Sequence, residues 1–189
     1  MEEEKAVSPK NELKGEAWEW IKAILIAAAL VFLIRWFIFA TYVVEGPSMQ
    51  PNFHTGERLI VNKIIYSFRK PERGEVVVFH APQGKDYIKR VIALPGEKIK
   101  AINNKVYVND QELDEYYIQS AIDERDKNGK KYTEDFPETV VPEGSVFVMG
   151  DNRLNSSDSR AIGPIEYKEV VGRADVLFWP IKDMGIVKH

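Results

Sequence analysis

Residues 86–99 read DYIKRVIALPGEKI, and this stretch decides the fold class. Successive side chains of an extended strand point to opposite faces, so Lys89 shares one face with Val91 and Arg90 shares the other with Ile92. A Pro-Gly pair then ends the run, as in a turn. The pattern predicts a β-strand that is apolar on both faces except for one cation on each.

Further strands are predicted on either side of this one. Short runs rich in valine and isoleucine recur, and turn residues separate them. Together with 87–94, the predicted strands are 58–62, 75–80, 98–102, 105–108, 145–149 and 174–179. No stretch of convincing length between them has the period of a helix. The chain is therefore predicted to be mainly β, with antiparallel strands in a closed or nearly closed core.

The composition changes between about residues 103 and 141. This part of the chain is charged and rich in tyrosine, and it includes the run DEYYIQSAIDERDKNGKKYTEDF. Such a composition fits either an inserted subdomain or a long surface excursion of a single domain.

Length and composition exclude several classes of protein. The chain has 189 residues, of which 44% are hydrophobic, enough to form a packed core. Its net charge of −3 argues against a nucleic-acid-binding protein, whose affinity depends on many phosphate contacts. The absence of cysteine excludes disulfides, thiolate catalysis and iron–sulfur clusters. Only three histidines occur, and His189 is the last residue, so no metal centre is predicted.

The N-terminal region contains the longest apolar run. Residues 23–34 read AILIAAALVFLI, Arg35 interrupts the run, and apolar residues continue to Val44. As a helix, 23–44 would be ~33 Å long, against ~30 Å for the hydrocarbon layer of a bilayer. A buried globular helix and a cleaved signal peptide are alternatives, but the run favours an uncleaved transmembrane anchor.

The basic residues beside this run predict its orientation. Four lysines precede the run, and only two basic residues follow it closely. Because positively charged flanks stay inside, the N-terminus is predicted to be cytoplasmic. The predicted segments are a cytoplasmic tail at 1–17, a transmembrane anchor at 18–40 and an extracytoplasmic domain at 41–189.

The segment after the apolar run places one serine in an unusual turn. Ser48 lies in the sequence GPSMQP, where Gly46, Pro47 and Pro51 restrict the backbone around its hydroxyl. Taken alone, a serine in this setting is typical of an ordinary turn.

Two explanations remain for the cations of the 86–99 strand. An edge strand would let both long side chains reach water. Alternatively, Lys89 is buried and serves as a base, since burial disfavours the ammonium and lowers the pKa from its free value of ~10.4. A neutral lysine beside a serine hydroxyl activates that serine as a nucleophile.

A third polar segment, FVMGDNRLNSSDSRAIG at 147–163, follows a predicted strand. It fits a solvated turn, a metal site without the spacing of a calcium loop, or a set of residues that support Ser48 and Lys89.

Together these segments resemble the bacterial type I signal peptidases, or leader peptidases, and in particular the short Gram-positive form with a single anchor. The matching blocks occur in the order of that family, over most of residues 20–180. They are SMQP at 48–51, GERLIVNK at 56–63, KRVIALPGE at 89–97 and GDNRLNSSDSR at 150–160.

The resemblance implies a Ser-Lys dyad, with Ser48 as the nucleophile and Lys89 as the general base. It also implies that Ser156 orients the lysine amine. The residues that would form ion pairs to fix the site are Asp151, Arg90, Asp158 and Arg160. The implied fold is an antiparallel β catalytic core with a smaller inserted β subdomain, on one N-terminal transmembrane helix. No cofactor is implied.

The function that the resemblance implies is that of a membrane-bound serine endopeptidase. Such an enzyme removes signal peptides from secretory preproteins after small residues. It would be a single-pass protein of the plasma membrane, with its N-terminus in the cytoplasm and its catalytic domain outside. The expected partners are the preproteins, the lipid bilayer and a nearby secretion channel, and no nucleic acid.

The sequence departs from the family pattern near the nucleophile. Asn52 and Phe53 stand where threonine and leucine are typical, and Glu57 stands where aspartate is typical. Some members carry a serine two residues before the nucleophile that helps to stabilise the oxyanion, and this chain has Gly46 there. We therefore expect backbone N–H groups, including that of Ser48, to form the oxyanion hole.

Two other functions remain open on the residues themselves. A serine hydrolase could use His54 or His80 as its base. An anchored β module could act as a scaffold at a secretion channel without catalysis. Neither alternative explains a lysine inside an apolar strand, where burial of a charge is costly.

Overall fold

The computed structural model describes the backbone of residues 9–82 and 84–189, with the side chains of 18–32, 38–82 and 84–189. The chain divides into two compact units, one up to Ile38 and one from Phe39 to His189. The first unit contains helix α1 (Pro9–Phe37), and every described strand belongs to the second.

The N-terminal helix ends earlier than the apolar run of the sequence. Helix α1 ends at Phe37, and Phe39–Val43 form strand β1, so the helical interpretation up to Val44 is wrong. The sequence FATYVV is rich in aromatic and β-branched residues, which favour a strand that can pair with a neighbour. Among the described parts of the chain, no helix has both the length and the apolar character needed to cross a membrane. The anchor at 18–40 stays a prediction.

The second unit is mainly antiparallel β, which confirms the predicted fold class at that level. Its helices are α2 (Ile65–Phe68), α3 (Gln119–Lys127) and α4 (Ser159–Ile162), with 3-10 turns at Tyr167–Glu169 and Ile181–Asp183. The strands after β1 are β2 (Arg58–Asn62), β3 (Val76–His80), β4 (Asp86–Ala93), β5 (Lys98–Ile102), β6 (Lys105–Val108), β7 (Gln111–Glu112), β8 (Phe136–Val140), β9 (Ser145–Met149), β10 (Ile165–Glu166), β11 (Val170–Trp179) and β12 (Gly185–Ile186).

The strands form two sheets. The larger has the order β1-β2-β11-β3-β4-β9-β10, with β12 also paired to β11, and the smaller has the order β7-β6-β5-β8. Strand β4 pairs with β3 from Asp86 to Arg90 and with β9 from Arg90 to Ala93. Since Lys89 and Arg90 are both buried, the explanation by an edge strand with side chains in water is wrong.

The segment 103–141, which the composition sets apart, supplies strands β6, β7 and β8 of the smaller sheet. Helix α3 lies in this segment, although the sequence predicted no helix between strands. Its side chains are all at least partly exposed, so it lacks the apolar stripe by which a helix is recognised in a sequence. The segment is nevertheless anchored in the interior, because Glu115, Ile118 and Tyr132 are buried.

Candidate active site

Ser48 lies in a tight turn shortly after β1. The N–H of Gln50 donates to the Pro47 carbonyl at 3.1 Å, which closes the turn. The side chain of Met49 is fully buried and fixes the turn to the core. Gly46 has a φ of +81°, a left-handed conformation that glycine adopts without strain. The backbone on both sides of Ser48 is therefore held in place.

The amine of Lys89 reaches the Ser48 hydroxyl from β4. Nζ lies 2.9 Å from Ser48 Oγ and donates to the Ile88 carbonyl at 2.7 Å. The centroid of the Tyr87 ring is 5.1 Å from Nζ, a distance at which an aromatic face attracts a cation. Lys89 is only 3% exposed, so the amine has little access to bulk water.

This burial changes the acidity of the lysine. Loss of hydration lowers the pKa of Lys89 to about 8, although the charges of Asp158 and Asp151 oppose that change. An amine with such a pKa is substantially neutral in weakly alkaline solution, so it can accept a proton from a hydroxyl.

Arg90, the next residue along β4, is paired on the opposite face. Its Nε and Nη2 donate to the two carboxylate oxygens of Asp151 at 3.0 and 2.9 Å. Its Nη1 donates to the carbonyls of Gly74 and Lys188 at 2.7 and 3.0 Å. The structure thus brings together two of the predicted site residues as a bidentate ion pair, with Arg90 only 1% exposed.

Asp158 and Arg160 form a second bidentate pair. The Arg160 Nε and Nη2 donate to Asp158 at 2.8 and 2.7 Å, and the N–H of Gly150 donates to the same carboxylate at 2.9 Å. Burial alone would raise the pKa of Asp158, but these donors outweigh burial and lower it. The carboxylate also caps α4 by accepting from the Arg160 N–H.

The position of Ser156 differs from the role that the resemblance implies. Its hydroxyl is buried and lies outside hydrogen-bond geometry to any described group, including the Lys89 amine. A neutral amine that uses one N–H on the Ile88 carbonyl has a second N–H to donate, so the orienting role of Ser156 stays a prediction.

Gly150 is the point of closest approach between the 147–163 loop and the Ser48 turn. A Cβ on Gly150 would lie 2.2 Å from Ser156 Oγ and 2.5 Å from the Ser48 carbonyl oxygen, so only glycine leaves room. The N–H of Asn152 donates to the same Ser48 carbonyl at 3.0 Å. The loop therefore supports the turn both by close packing and by a hydrogen bond.

Other residues reach the site that sequence reasoning did not assign to it. The Tyr117 ring centroid lies 4.2 Å from the Arg90 guanidinium, and the Tyr132 hydroxyl donates to the Asp151 carbonyl at 2.8 Å. The Asn52 amide donates to a carboxylate oxygen of Asp151 at 2.7 Å, so this departure from the family pattern is part of the ion-pair network. The signals in the sequence were the abundance of tyrosine in 103–141 and, for Asn52, its departure from the family pattern.

A cleft of about 360 Å³ includes Ser48 and Lys89 in its walls. Its lining includes the end of β1 with the residues after it, and residues 86–89 of β4. Ser157 is exposed and lines the cleft as well, whereas the Ser156 hydroxyl is buried. The two adjacent serines thus have different surroundings.

The histidines are arranged differently from what a histidine-dependent hydrolase needs. His54 Nδ1 lies 3.6 Å from the Glu57 carboxylate, and His80 Nδ1 lies 2.6 Å from Asp86. Both rings are largely exposed. Among the described hydrogen bonds, neither ring contacts Ser48, so the geometry does not favour a histidine base.

Known proteins resemble this chain along most of its length. The family described as "Signal peptidase, peptidase S26" matches residues 17–179. Signal peptidase I of Bacillus amyloliquefaciens is 44% identical with 99% of each chain covered, and signal peptidase I T of Bacillus subtilis (strain 168) is 41% identical with 100% of each covered. The crystal structure of a signal peptidase I from Enterococcus faecalis V583 is 37% identical with a TM-score of 0.51, and the match covers 56% of this chain and 97% of that chain. This chain therefore belongs to the bacterial type I signal peptidases, the hydrolases of peptidase family S26.

Proposed function

We propose that this chain is a membrane-bound serine endopeptidase that cleaves signal peptides after small residues with a Ser48-Lys89 dyad. The observation that carries the proposal is the buried amine of Lys89, which lies 2.9 Å from the Ser48 hydroxyl and has a pKa lowered to about 8. Without that shift, under about 1% of the amine would be in the neutral, basic form at pH 8.

The reaction proceeds by acyl transfer. The neutral Lys89 amine takes the Ser48 proton while Oγ attacks the scissile carbonyl, and backbone N–H groups, including that of Ser48, stabilise the oxyanion. The resulting ammonium protonates the leaving amine of the mature protein. A water molecule then attacks the serine ester with Lys89 again as the base, which releases the signal peptide and restores the hydroxyl.

The substrate binds in the cleft as an extended strand. Among the described strands, β9 pairs with β4 only from Arg90 onward, so it leaves room beside β4 at Ile88 and Lys89. The end of a signal peptide adds to this part of β4 by main-chain hydrogen bonds. The apolar side chains of Val44, Leu59 and Ile88 border the cleft near the dyad and restrict the space to small side chains.

The lipid bilayer is proposed as a partner from exposed apolar side chains. Ile24, Leu25 and Ile26 point in different directions from α1 and are each more than 60% exposed, which suits an apolar solvent better than water. In the second unit, Trp179, Ile181, Met184 and Ile186 are exposed within one short segment. We place the tail in the cytoplasm and the catalytic domain outside the plasma membrane, where a preprotein leaves the secretion channel.

The dyad is tested by cleavage of a preprotein with the full chain in detergent. Ser48→Ala and Lys89→Ala should each abolish nearly all cleavage, and the double variant should lose no more, because the two residues act as a unit. Ser67→Ala and Lys85→Ala are matched controls at exposed positions outside the cleft, and both should cleave normally. Cleavage by Ser48→Ala would contradict the proposal.

The membrane placement has a separate test. Protease added outside intact cells should reach residues 45–189 and leave the N-terminal tail intact. Deletion of residues 1–38 should leave a domain that cleaves soluble peptides but processes membrane-held preproteins poorly. A mature N-terminus near Thr41 would instead show that the apolar segment is a cleaved signal.

A further inference from the structure

A buried ion pair joins the 103–141 segment to the catalytic loop, and the reaction scheme does not use it. Arg153 is 2% exposed and Glu115 is 5% exposed, and Arg153 Nη2 donates to Glu115 Oε1. Tyr117 completes the cluster, since its hydroxyl donates to Glu115 at 3.1 Å and accepts from Arg153 at 3.2 Å. A buried charge without its partner is strongly destabilising, so each member of the pair depends on the other.

The same guanidinium also holds the loop backbone. Arg153 Nε donates to the Gly150 carbonyl at 2.9 Å. Gly150 is the residue whose N–H donates to Asp158 and whose Cα packs against Ser156 and the Ser48 carbonyl. A displacement of the Gly150 peptide would therefore be transmitted to the turn that carries the nucleophile.

We propose that Glu115 is a positioning residue for the dyad. It fixes the guanidinium of Arg153, and Arg153 holds the Gly150 peptide where the Ser48 turn packs correctly against it. This inference rests on the proposed function of Ser48 and Lys89. It gives the 103–141 segment a part in catalysis without any contact with the substrate.

The geometry of arginine explains why Glu115 is needed. Nε and Nη2 lie on one edge of a planar fork, so a carboxylate bound at Nη2 sets the direction of the Nε–H toward Gly150. Arg153 Nη1 is buried without a partner among the described residues, so few other contacts fix the orientation of the guanidinium plane. A shift of about 1 Å at reacting groups can cost roughly 100-fold in rate.

The first experiment compares Glu115→Gln with Glu112→Gln in the full chain in detergent. Glu112 belongs to the same segment but forms an exposed pair with Lys105 at 2.8 Å. Glu115→Gln should lower kcat for peptide cleavage about 10- to 100-fold with KM within about twofold of the wild type, because the cleft is untouched. Glu112→Gln should leave both constants unchanged. Equal kinetics of the two variants would overturn the proposal.

Two further variants separate positioning from general stability. Glu115→Gln/Arg153→Met removes both charges, so its melting temperature should recover while kcat stays low, because Gly150 still lacks its donor. Arg153→Lys keeps a cation for Glu115 but loses the fork, so it should melt near the wild type with kcat lowered about 10-fold. Recovery of kcat in the double variant, or a normal kcat in Arg153→Lys, would overturn the proposal. If the double variant does not fold, the kcat of Arg153→Lys alone tests the proposal.

Failure of this inference and failure of the dyad give different results. Normal cleavage by Ser48→Ala would contradict the dyad itself, whatever the kinetic constants of Glu115→Gln. An inactive Ser48→Ala enzyme together with a normal kcat in Arg153→Lys would contradict only the positioning role of Glu115.

Discussion

Lys89 and Arg90 are neighbours on β4 and are both buried, yet they have different hydrogen-bond partners on the two faces of the strand. Arg90 meets both oxygens of Asp151 and two backbone carbonyls. Lys89 meets one hydroxyl and one carbonyl. A carboxylate beside a buried cation favours the charged form and is costly to remove, whereas burial without a paired carboxylate lowers the pKa of a lysine. A guanidinium stays protonated in either setting, so it is a lysine without a paired carboxylate that suits the proposed role of base.

The largest expected effect comes from replacing Lys89 with arginine, the residue type that occurs on the opposite face of β4 at Arg90. Lys89→Arg should lower kcat/KM at least about a thousandfold, because a guanidinium stays protonated and cannot accept the serine proton. Peptide cleavage between pH 8 and 9 measures this effect. Arg90→Lys is the matched exchange, and it should lower the melting temperature while retaining a larger share of the activity. Substantial cleavage by Lys89→Arg would contradict its role as base.

The second effect is on the Arg90 face. Asp151→Asn leaves a buried guanidinium without its carboxylate, so the free energy of unfolding should fall by about 3–5 kcal/mol. Urea denaturation followed by fluorescence measures the change. Asp110→Asn removes a carboxylate that is exposed on the smaller sheet, and should leave stability nearly unchanged. A small loss of unfolding free energy in Asp151→Asn would mean that the two faces of β4 differ less than their contacts indicate.

The third effect concerns the free energy of unfolding again, but here a buried group lowers stability and does not raise it. The pKa of Lys89 falls from 10.5 to about 8, which corresponds to a burial cost of about 3 kcal/mol for the ammonium. Below pH 8 the lysine is charged in both the folded and the unfolded states, so the folded state bears the full cost. Between pH 8 and 10.5 only the unfolded state is protonated, so the wild type gains stability as pH rises.

The stability of Lys89→Met relative to the wild type should therefore fall by about 3 kcal/mol between pH 7 and pH 10.5, because only the wild type gains stability over that range. Denaturation at a series of pH values tests this prediction. The wild-type kcat/KM should rise through a limb near pH 8. A limb near pH 6.5 that disappears on mutation of His54 would favour a histidine base instead.

The smallest effect concerns Ser156, the proposed partner of the second N–H of Lys89. Ser156→Ala should lower kcat by roughly 5- to 150-fold with little change in KM, the equivalent of one lost orienting hydrogen bond of ~1–3 kcal/mol. Ser157→Ala should leave kcat nearly unchanged. A larger loss of kcat at Ser157 would show that the assignment of roles through this loop is wrong.

The sequence predicted those parts of the site that depend on local pattern. The alternation in 86–99 was enough to place Lys89 and Arg90 on opposite faces, because the period of a strand is set by its own backbone. The strands 58–62, 98–102, 105–108 and 145–149 occur at the predicted residues. The resemblance named the four residues of the ion pairs, which alternation alone cannot supply, and the structure shows which residue pairs with which.

The rest depended on contacts between distant parts of the chain. Arg153 and Glu115 are separated by 38 residues, and Tyr132 and Asp151 by 19, so no local period relates them. Strand β1 was hidden because its apolar residues continue those of α1, and only pairing with β2 distinguishes the two. Helix α3 was missed because it buries no apolar face.

The part of β4 that precedes its pairing with β9 determines how broad the substrate range can be. On the proposed function, this part of β4 binds main-chain amides, which every preprotein carries regardless of its sequence. Discrimination then falls to the few side-chain positions that face the cleft, and the remainder of a client protein is free to vary. A secretory pathway with many different clients can accordingly be served by one peptidase whose cleft never has to adapt to any of them.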